Sequence, residues 1–194
     1  MKLCGLTGGV GMGKSTAAGF LSQHGARIMD TDELARELVQ PGRPALAEIR
    51  DTFGKNIVAA DGFLCRDELA KIVFADAAAR KKLEQILHPK IRQRWQSQVE
   101  QWRQQNIPLA VVVIPLLFET HAESCFDKII CVACSEKERR ERLRARGWND
   151  EQISQRIAAQ MPVEEKIARA HFVIWTEGGL ADHSAQVERI LAAV

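Results

Sequence analysis

Leu3-Cys4-Gly5-Leu6-Thr7-Gly8-Gly9-Val10-Gly11-Met12-Gly13-Lys14-Ser15-Thr16 is the stretch that decides how this chain is read. A short apolar run ends at Thr7-Gly8-Gly9, and beyond Lys14 the residues Ala17, Ala18, Phe20 and Leu21 recur at helical spacing until His24-Gly25 stops them. The order is strand, glycine loop, helix. Between strand and helix, Gly8 to Ser15 fits G-x-x-x-x-G-K-S, the position and pattern of a phosphate-binding loop. Its glycines let the main chain wrap a polyphosphate, with N–H groups turned inward at a helix N-terminus. Lys14 is expected to reach the β- and γ-phosphates, and the Ser15 hydroxyl to ligate Mg²⁺.

Outward from the loop, Arg27-Ile28-Met29 reads as a second short strand running into Asp30-Thr31-Asp32. A helix through Leu34, Ala35, Leu38 and Val39 follows and ends at Pro41-Gly42. Leu109 to Ile114 is a continuous run without alternation, as a strand buried on both faces of a parallel sheet requires. Lys128 to Ala133 and Phe172 to Trp175 supply two more strands, and a helix around 181–193 closes the chain. From Pro44 to Gln105 apolar residues step by three and four, with no strand among them. The last helix of that stretch is expected to start at His88-Pro89, with the proline in its first turn and Ile91, Trp95, Val99 and Trp102 as a packing stripe. The expected class is α/β: a three-layer fold of the P-loop nucleoside-triphosphate-hydrolase type, with five parallel strands, a helical insertion and a helical lid.

Composition narrows the function. The chain has 194 residues, a net charge of +2 and 46% hydrophobic residues, which suits a folded domain and not a disordered chain or a polycationic nucleic-acid binder. Prolines 108 and 115 interrupt the longest apolar stretch, which is far below the ~20 residues of a membrane span. Met1-Lys2 precedes no secretory apolar stretch, so the cytosol is the expected location. Five scattered cysteines read as reduced thiols, and Cys131 and Cys134 point to opposite faces of a strand. A guanine-reading N/T-K-x-D is absent, and Asp51-Thr-Phe-Gly54 lies in the helical middle, which argues against a GTPase switch.

Ligands of open α/β sheets bind beyond the carboxyl ends of the strands, where Asp30 and Asp32 follow the second strand. A kinase acting on an alcohol needs a carboxylate to take the hydroxyl proton. Asp32 is the candidate base, with Asp30 supporting Mg²⁺-bound water or structure; capping of the next helix is the alternative role for either.

With these features in place the chain resembles the dephospho-CoA kinase family over nearly its whole length. Leu6-Thr-Gly-Gly-Val-Gly-Met-Gly-Lys-Ser-Thr16, Asp30-Thr-Asp-Glu-Leu-Ala-Arg36, Leu87-His-Pro89, Val113-Ile-Pro-Leu-Leu-Phe-Glu119 and Arg156-Ile-Ala-Ala-Gln160 match the family's motifs in order. The resemblance implies transfer of the ATP γ-phosphoryl group to the ribose 3′-hydroxyl of dephospho-CoA, with Mg²⁺ required. It implies that Gly11, Met12, Gly13, Lys14, Ser15 and Thr16 bind ATP, that Asp32 is the base, and that His88 and Glu119 line the acceptor side. Met12 replaces a serine at a position expected to contribute mainly main chain. His171 and Thr176 replace an Asp and an Asn, which puts the adenine contacts in doubt. Pro115 stands where a Walker-B Asp would end the strand, leaving Ser15, phosphates and water for Mg²⁺, with Asp30 or Glu119 as further candidates.

Arg139, Arg140, Arg142, Arg144 and Arg146 crowd onto a helix ending at Gly147, with 139, 142 and 146 on one face. Such a segment suits a lid that stabilises charge on a transferred phosphoryl group and excludes water. Arg142 is the first candidate and Arg146, on the nucleotide, the second; a solvated face paired with Glu138 and Glu141 is the alternative. The expected division is a nucleotide-binding core of 1–42, 107–138 and 163–194, an acceptor subdomain of 43–106 and a lid of 139–162. The expected partner is the acceptor alone, with no nucleic acid or membrane and a monomer or weak homo-oligomer. A kinase of another nucleoside or nucleotide, or a non-catalytic nucleotide switch, is the competing reading.

Overall fold

The computed structural model describes residues 1–194. The chain separates into two compact units, one of residues 1–30 and 101–194 and one of residues 31–100. The first boundary falls between the second strand and the helix after it, and the other inside a long helix. The sequence-based limits of 43 and 106 lie later because they follow the turn at Pro41-Gly42 and the end of that helix.

Unit 1 is built on five parallel strands: β1 (Lys2–Thr7), β2 (Arg27–Asp30), β3 (Leu109–Val113), β4 (Lys128–Ala133) and β5 (Phe172–Trp175), in the order β2-β3-β1-β4-β5. Leu6 pairs with Val113 on one side and Ile130 on the other, so β1 is central and everything that follows it emerges from the middle of the sheet. β1, β3 and β4 are buried almost from end to end, as unbroken apolar runs in a sheet covered on both faces must be. One face packs against α1 (Lys14–Gln23) and α9 (Leu180–Ala193): Ala17, Leu21, Val187 and Ile190 close over Cys4, Leu6, Val111, Val113, Ile130 and Val132. On the opposite face Gly5 lies under Leu117 and Phe126, where a Cβ would come within 2.5 Å of Leu117 Cδ1, so these side chains sit directly on the strand. The helices α6 (Glu136–Ala145), α7 (Asp150–Ala158) and α8 (Val163–Arg169) follow β4 in succession. Ser135 and Asn149 cap α6 and α7, each accepting a hydrogen bond from an N–H in the first turn.

Unit 2 is helical: α2 (Thr31–Leu38), α3 (Pro44–Phe53), α4 (Arg66–Ala75) and most of α5 (Ala77–Gln104). Its core is Val39, Ile49, Ile57, Leu69, Val73 and Ile86. The only strand-like pairing there is a single antiparallel bridge between Val58 and Leu64. α5 corrects one expectation: it does not start at His88-Pro89 but runs unbroken through Pro89. An interior proline forfeits the bond to the carbonyl four residues back and costs about 3 kcal/mol. Burial on both sides of it, with Ile86 before and Trp95 and Val99 after, offsets that loss.

Candidate active site

The glycine loop leaves the end of β1 and enters α1 at Lys14. Gly8 has φ +144°, and a Cβ there would lie 2.3 Å from the carbonyl oxygen of Val132, so the loop can start this close to β4 only with glycine. Gly13, at φ +88°, is the left-handed residue that turns the loop into the helix. The first bond of this helix runs from the Ala17 N–H to Gly13 O, so the N–H groups of Ser15 and Thr16 have no intrahelical acceptor. Lys14 Nζ reaches back to the carbonyls of Gly8 (2.9 Å) and Gly9 (3.0 Å), spanning the loop. Donors at a helix N-terminus beside a bridging ammonium make an anion cradle.

Three side chains from later elements hold the loop in shape. Arg139, buried on α6, donates from Nε to the carbonyl of Val10 at 2.9 Å, while Gln160 Oε1 accepts from the Val10 N–H at 2.9 Å. Both main-chain groups at the loop's tip are thereby fixed. Burial lowers the pKa of Arg139, its largest influence, while Glu136 beside it works the other way. Thr176, buried after β5, donates from its hydroxyl to Met12 O at 3.0 Å and accepts from Arg142 Nη1 at 2.8 Å. Met12 is also more than main chain: its side chain is buried within the loop.

Arg142 is gripped from both sides. Its Nε donates to Glu138 at 2.8 Å and its Nη2 to the Thr176 carbonyl at 2.6 Å, which places the guanidinium beside Gly13. Arg146 is exposed at the C-cap of α6. Thr176 thus works on the loop's main chain, a role the sequence pattern, which linked this position to adenine, does not announce. Glu119 accepts at Oε1 from the Met161 N–H (2.9 Å) and from the fully buried Lys166 (2.8 Å), and Lys166 also donates to Pro115 O at 2.7 Å. Glu119 Oε2 is buried with no hydrogen-bond partner. Arg139 and Lys166 are the functional-looking residues missing from the sequence-based site. The signal for Lys166 was present: it interrupts an apolar helical face formed by Val163, Ile167 and Ala170.

Asp30 ends β2, and Asp32 lies exposed in the first turn of α2, inside the helix and not at its cap. His88 sits half-buried on α5 in unit 2; burial lowers its pKa most, Glu84 opposes that and Arg92 adds to it, so the site favours the neutral imidazole. The cysteines are all free. Burial pushes the thiols of Cys4 and Cys131 up to about 11, so neither is a reactive thiolate.

A lysine-closed glycine loop rising from the central strand of a sheet ordered 2-3-1-4-5 makes this a protein of the P-loop kinase fold. A shikimate kinase from Acinetobacter baumannii shares that fold alone, with a TM-score of 0.55 at 12% identity. The match to the dephospho-CoA kinase family model covers residues 2–182, and the chain belongs to that family. It is 42% identical to a dephospho-CoA kinase of Anaeromyxobacter dehalogenans, over 99% of this chain and 92% of the relative. A crystal structure of a Thermus thermophilus protein superposes with a TM-score of 0.84 at 34% identity, covering 100% of this chain and 97% of that one. A dephospho-CoA kinase from Campylobacter jejuni superposes with a TM-score of 0.72 at 27% identity, covering 99% and 96%.

Proposed function

We infer that the protein transfers the γ-phosphoryl group of ATP to the ribose 3′-hydroxyl of dephospho-CoA, giving coenzyme A and ADP. The observation that carries this is the anion cradle of Gly8 to Ser15, closed by Lys14, in a chain that matches dephospho-CoA kinases over nearly its full length. In this reading the loop from Gly11 to Thr16 binds the triphosphate. Lys14 exchanges its two carbonyl partners for β- and γ-phosphate oxygens, so no new charge has to be brought in when the nucleotide binds.

Asp32 takes the proton of the acceptor hydroxyl, its place in a first helical turn leaving the carboxylate exposed to ligand. Arg142, already beside Gly13, stabilises charge on the transferred group, and Arg146 adds a second cation to the nucleotide from the end of α6. The segment 139–162 acts as the lid, with Arg139 and Gln160 as its fixed attachment to the loop. His88 and Glu119 serve the acceptor side, His88 as a neutral hydrogen-bonding group.

Mg²⁺ would neutralise charge across the β- and γ-phosphates when bound. No group of three or more His, Cys, Asp or Glu side chains forms a metal cage, and Ser15 stands exposed in the first turn of α1. That donor set fits an ion carried in on the nucleotide and held by one hydroxyl, phosphates and water. No helix is long and apolar enough to cross a membrane. The protein in this reading works on small molecules in the cytosol, as a monomer or weak homo-oligomer.

ADP formation measured with a panel of acceptors tests the assignment. Turnover that depends on dephospho-CoA is expected. Preference for a nucleoside monophosphate, or hydrolysis indifferent to any acceptor, refutes it.

A further inference from the structure

The main-chain groups of the phosphate loop are used in alternation. The N–H of Val10 is taken by Gln160 Oε1 at 2.9 Å and that of Met12 by Gly9 O at 3.3 Å, while the N–H groups of Gly11 and Gly13 have no acceptor in the protein. The carbonyls of Val10 and Met12 are held as well, Val10 O by Arg139 Nε at 2.9 Å and Met12 O by the Thr176 hydroxyl at 3.0 Å. Gly11 and Gly13 have φ of +79° and +88°, whereas Val10 and Met12 are not left-handed, and such alternation of hand is what builds an anion nest from successive N–H groups.

Peptide geometry connects these observations. In a trans peptide the C=O and the N–H that follows it point in opposite directions, and no peptide bond in the chain is cis. A donor that draws Val10 O to one side of the loop therefore turns the Gly11 N–H to the other, and a donor on Met12 O does the same for the Gly13 N–H. Unheld, a peptide followed by glycine turns over readily, because glycine accepts either sign of φ. Both donors are themselves held. Arg139 is buried, and its Nη2 also donates to Gln160 Oε1 at 3.4 Å. The Thr176 hydroxyl accepts from Arg142 Nη1 at 2.8 Å, which leaves its single proton for a carbonyl, Met12 O at 3.0 Å ahead of Ala133 O at 3.3 Å.

We propose that Arg139 and Thr176 are positioning residues for the nucleotide: by fixing the Val10–Gly11 and Met12–Gly13 peptide planes they aim the Gly11 and Gly13 N–H groups at phosphate oxygens before the nucleotide arrives. The proposal rests on the loop binding ATP and deepens that reading, because it gives part of the affinity to side chains 129 and 164 residues away that act through the main chain. Donors already aimed need no reorganisation when the ligand binds. Loss of either hold then weakens every ligand that carries the phosphates, whatever its base.

The test uses the full chain and the variants Thr176→Val, Thr176→Ser and Arg139→Met, with Lys137→Gln as an exposed charge-loss control on α6. Thr176→Val keeps the side-chain volume and the main-chain bond to Arg142 Nη2, so it remains informative if the buried Arg139→Met substitution prevents folding. Calorimetric titration gives Kd for ADP and for tripolyphosphate, a probe with neither base nor ribose, and thermal unfolding shows that each variant is folded. Thr176→Val and Arg139→Met are each expected to raise Kd for both ligands by the same factor, roughly tenfold, and to raise KM for ATP while leaving KM for dephospho-CoA unchanged. Thr176→Ser keeps the hydroxyl and is expected to stay within about twofold of wild type, and Lys137→Gln to change neither Kd. A folded Thr176→Val that binds tripolyphosphate as wild type does overturns the proposal, and a loss confined to ADP overturns it by assigning Thr176 to the base. An equal loss in Lys137→Gln overturns it by reducing Arg139 to bulk charge. A wild-type protein that binds neither ligand overturns instead the nucleotide reading of the loop, and one that binds both but leaves dephospho-CoA unphosphorylated overturns only the choice of acceptor.

Discussion

Replacing Lys166 with methionine tests the buried link between the sheet and the segment after α7. Methionine keeps most of the stem's volume and removes the ammonium. Lys166 is fully buried, and its loss takes a 2.7 Å donor from Pro115 O and a 2.8 Å partner from Glu119. Pro115 O is left with the Thr7 hydroxyl at 3.3 Å, and Glu119 with the Met161 N–H on Oε1 and nothing on Oε2. Removing one partner of a buried pair costs about 3–5 kcal/mol. The Glu119 side chain is 22% exposed, so water recovers part of its solvation and the lower end, about 3 kcal/mol, is expected. With a urea slope of about 2 kcal/mol/M, the denaturation midpoint followed by circular dichroism falls by roughly 1.5 M. KM for ATP should rise as well, because Thr7 and Pro115 are the residues through which β1 and β3 lead toward the phosphate loop. The double variant Lys166→Met/Glu119→Gln removes the stranded charge and should recover at least about 1 kcal/mol over the single variant. A single-variant loss below about 1 kcal/mol, or a double-variant loss equal to the sum of the two single losses, refutes this account.

Three further outcomes follow from the site. Lys14→Ala should lower kcat by orders of magnitude while thermal unfolding changes little, because the ammonium spans the loop from a half-buried position and leaves the core untouched; near-normal turnover would remove the loop from the chemistry. Asp32→Asn should keep ATP binding and slow transfer, and an unchanged rate with an unchanged pH profile would make Asp32 structural. At pH 8 a thiol held at about 11 is ionised only about one part in a thousand, so Cys4 and Cys131 should resist a thiolate-selective reagent until the chain is denatured. The half-buried Cys65 and Cys125 should react first, and prompt labelling of Cys4 or Cys131 would contradict their burial.

The strands were legible because burial on both faces writes them as unbroken apolar runs. Leu109 to Val113 and Lys128 to Ala133 could hardly be read otherwise. Pro89 misled because a proline is a local signal, whereas α5 is held together by burial along its whole length, which acts at a distance. The phosphate loop was legible for the opposite reason. Its main-chain donors, its lysine and its hydroxyl lie next to one another in sequence, so spacing alone encodes their arrangement.

The support of that loop was not encoded locally. Arg139, Gln160 and Thr176 meet Val10 and Met12 across more than a hundred residues, and no spacing rule pairs them. The arginine run showed that cations gather near the loop, but only packing decided that Arg139 is buried as its clamp, that Arg142 is held by Thr176 and Glu138, and that Arg146 stays in solvent. By itself the sequence determined the α/β class, the strand order along the chain and a phosphate-binding kinase of recognisable family, because periodicity and contiguous motifs are local properties. Tertiary structure alone decided which charges are structural and which are open to a ligand, because desolvation and hydrogen-bond partnership depend on what the fold brings alongside each group.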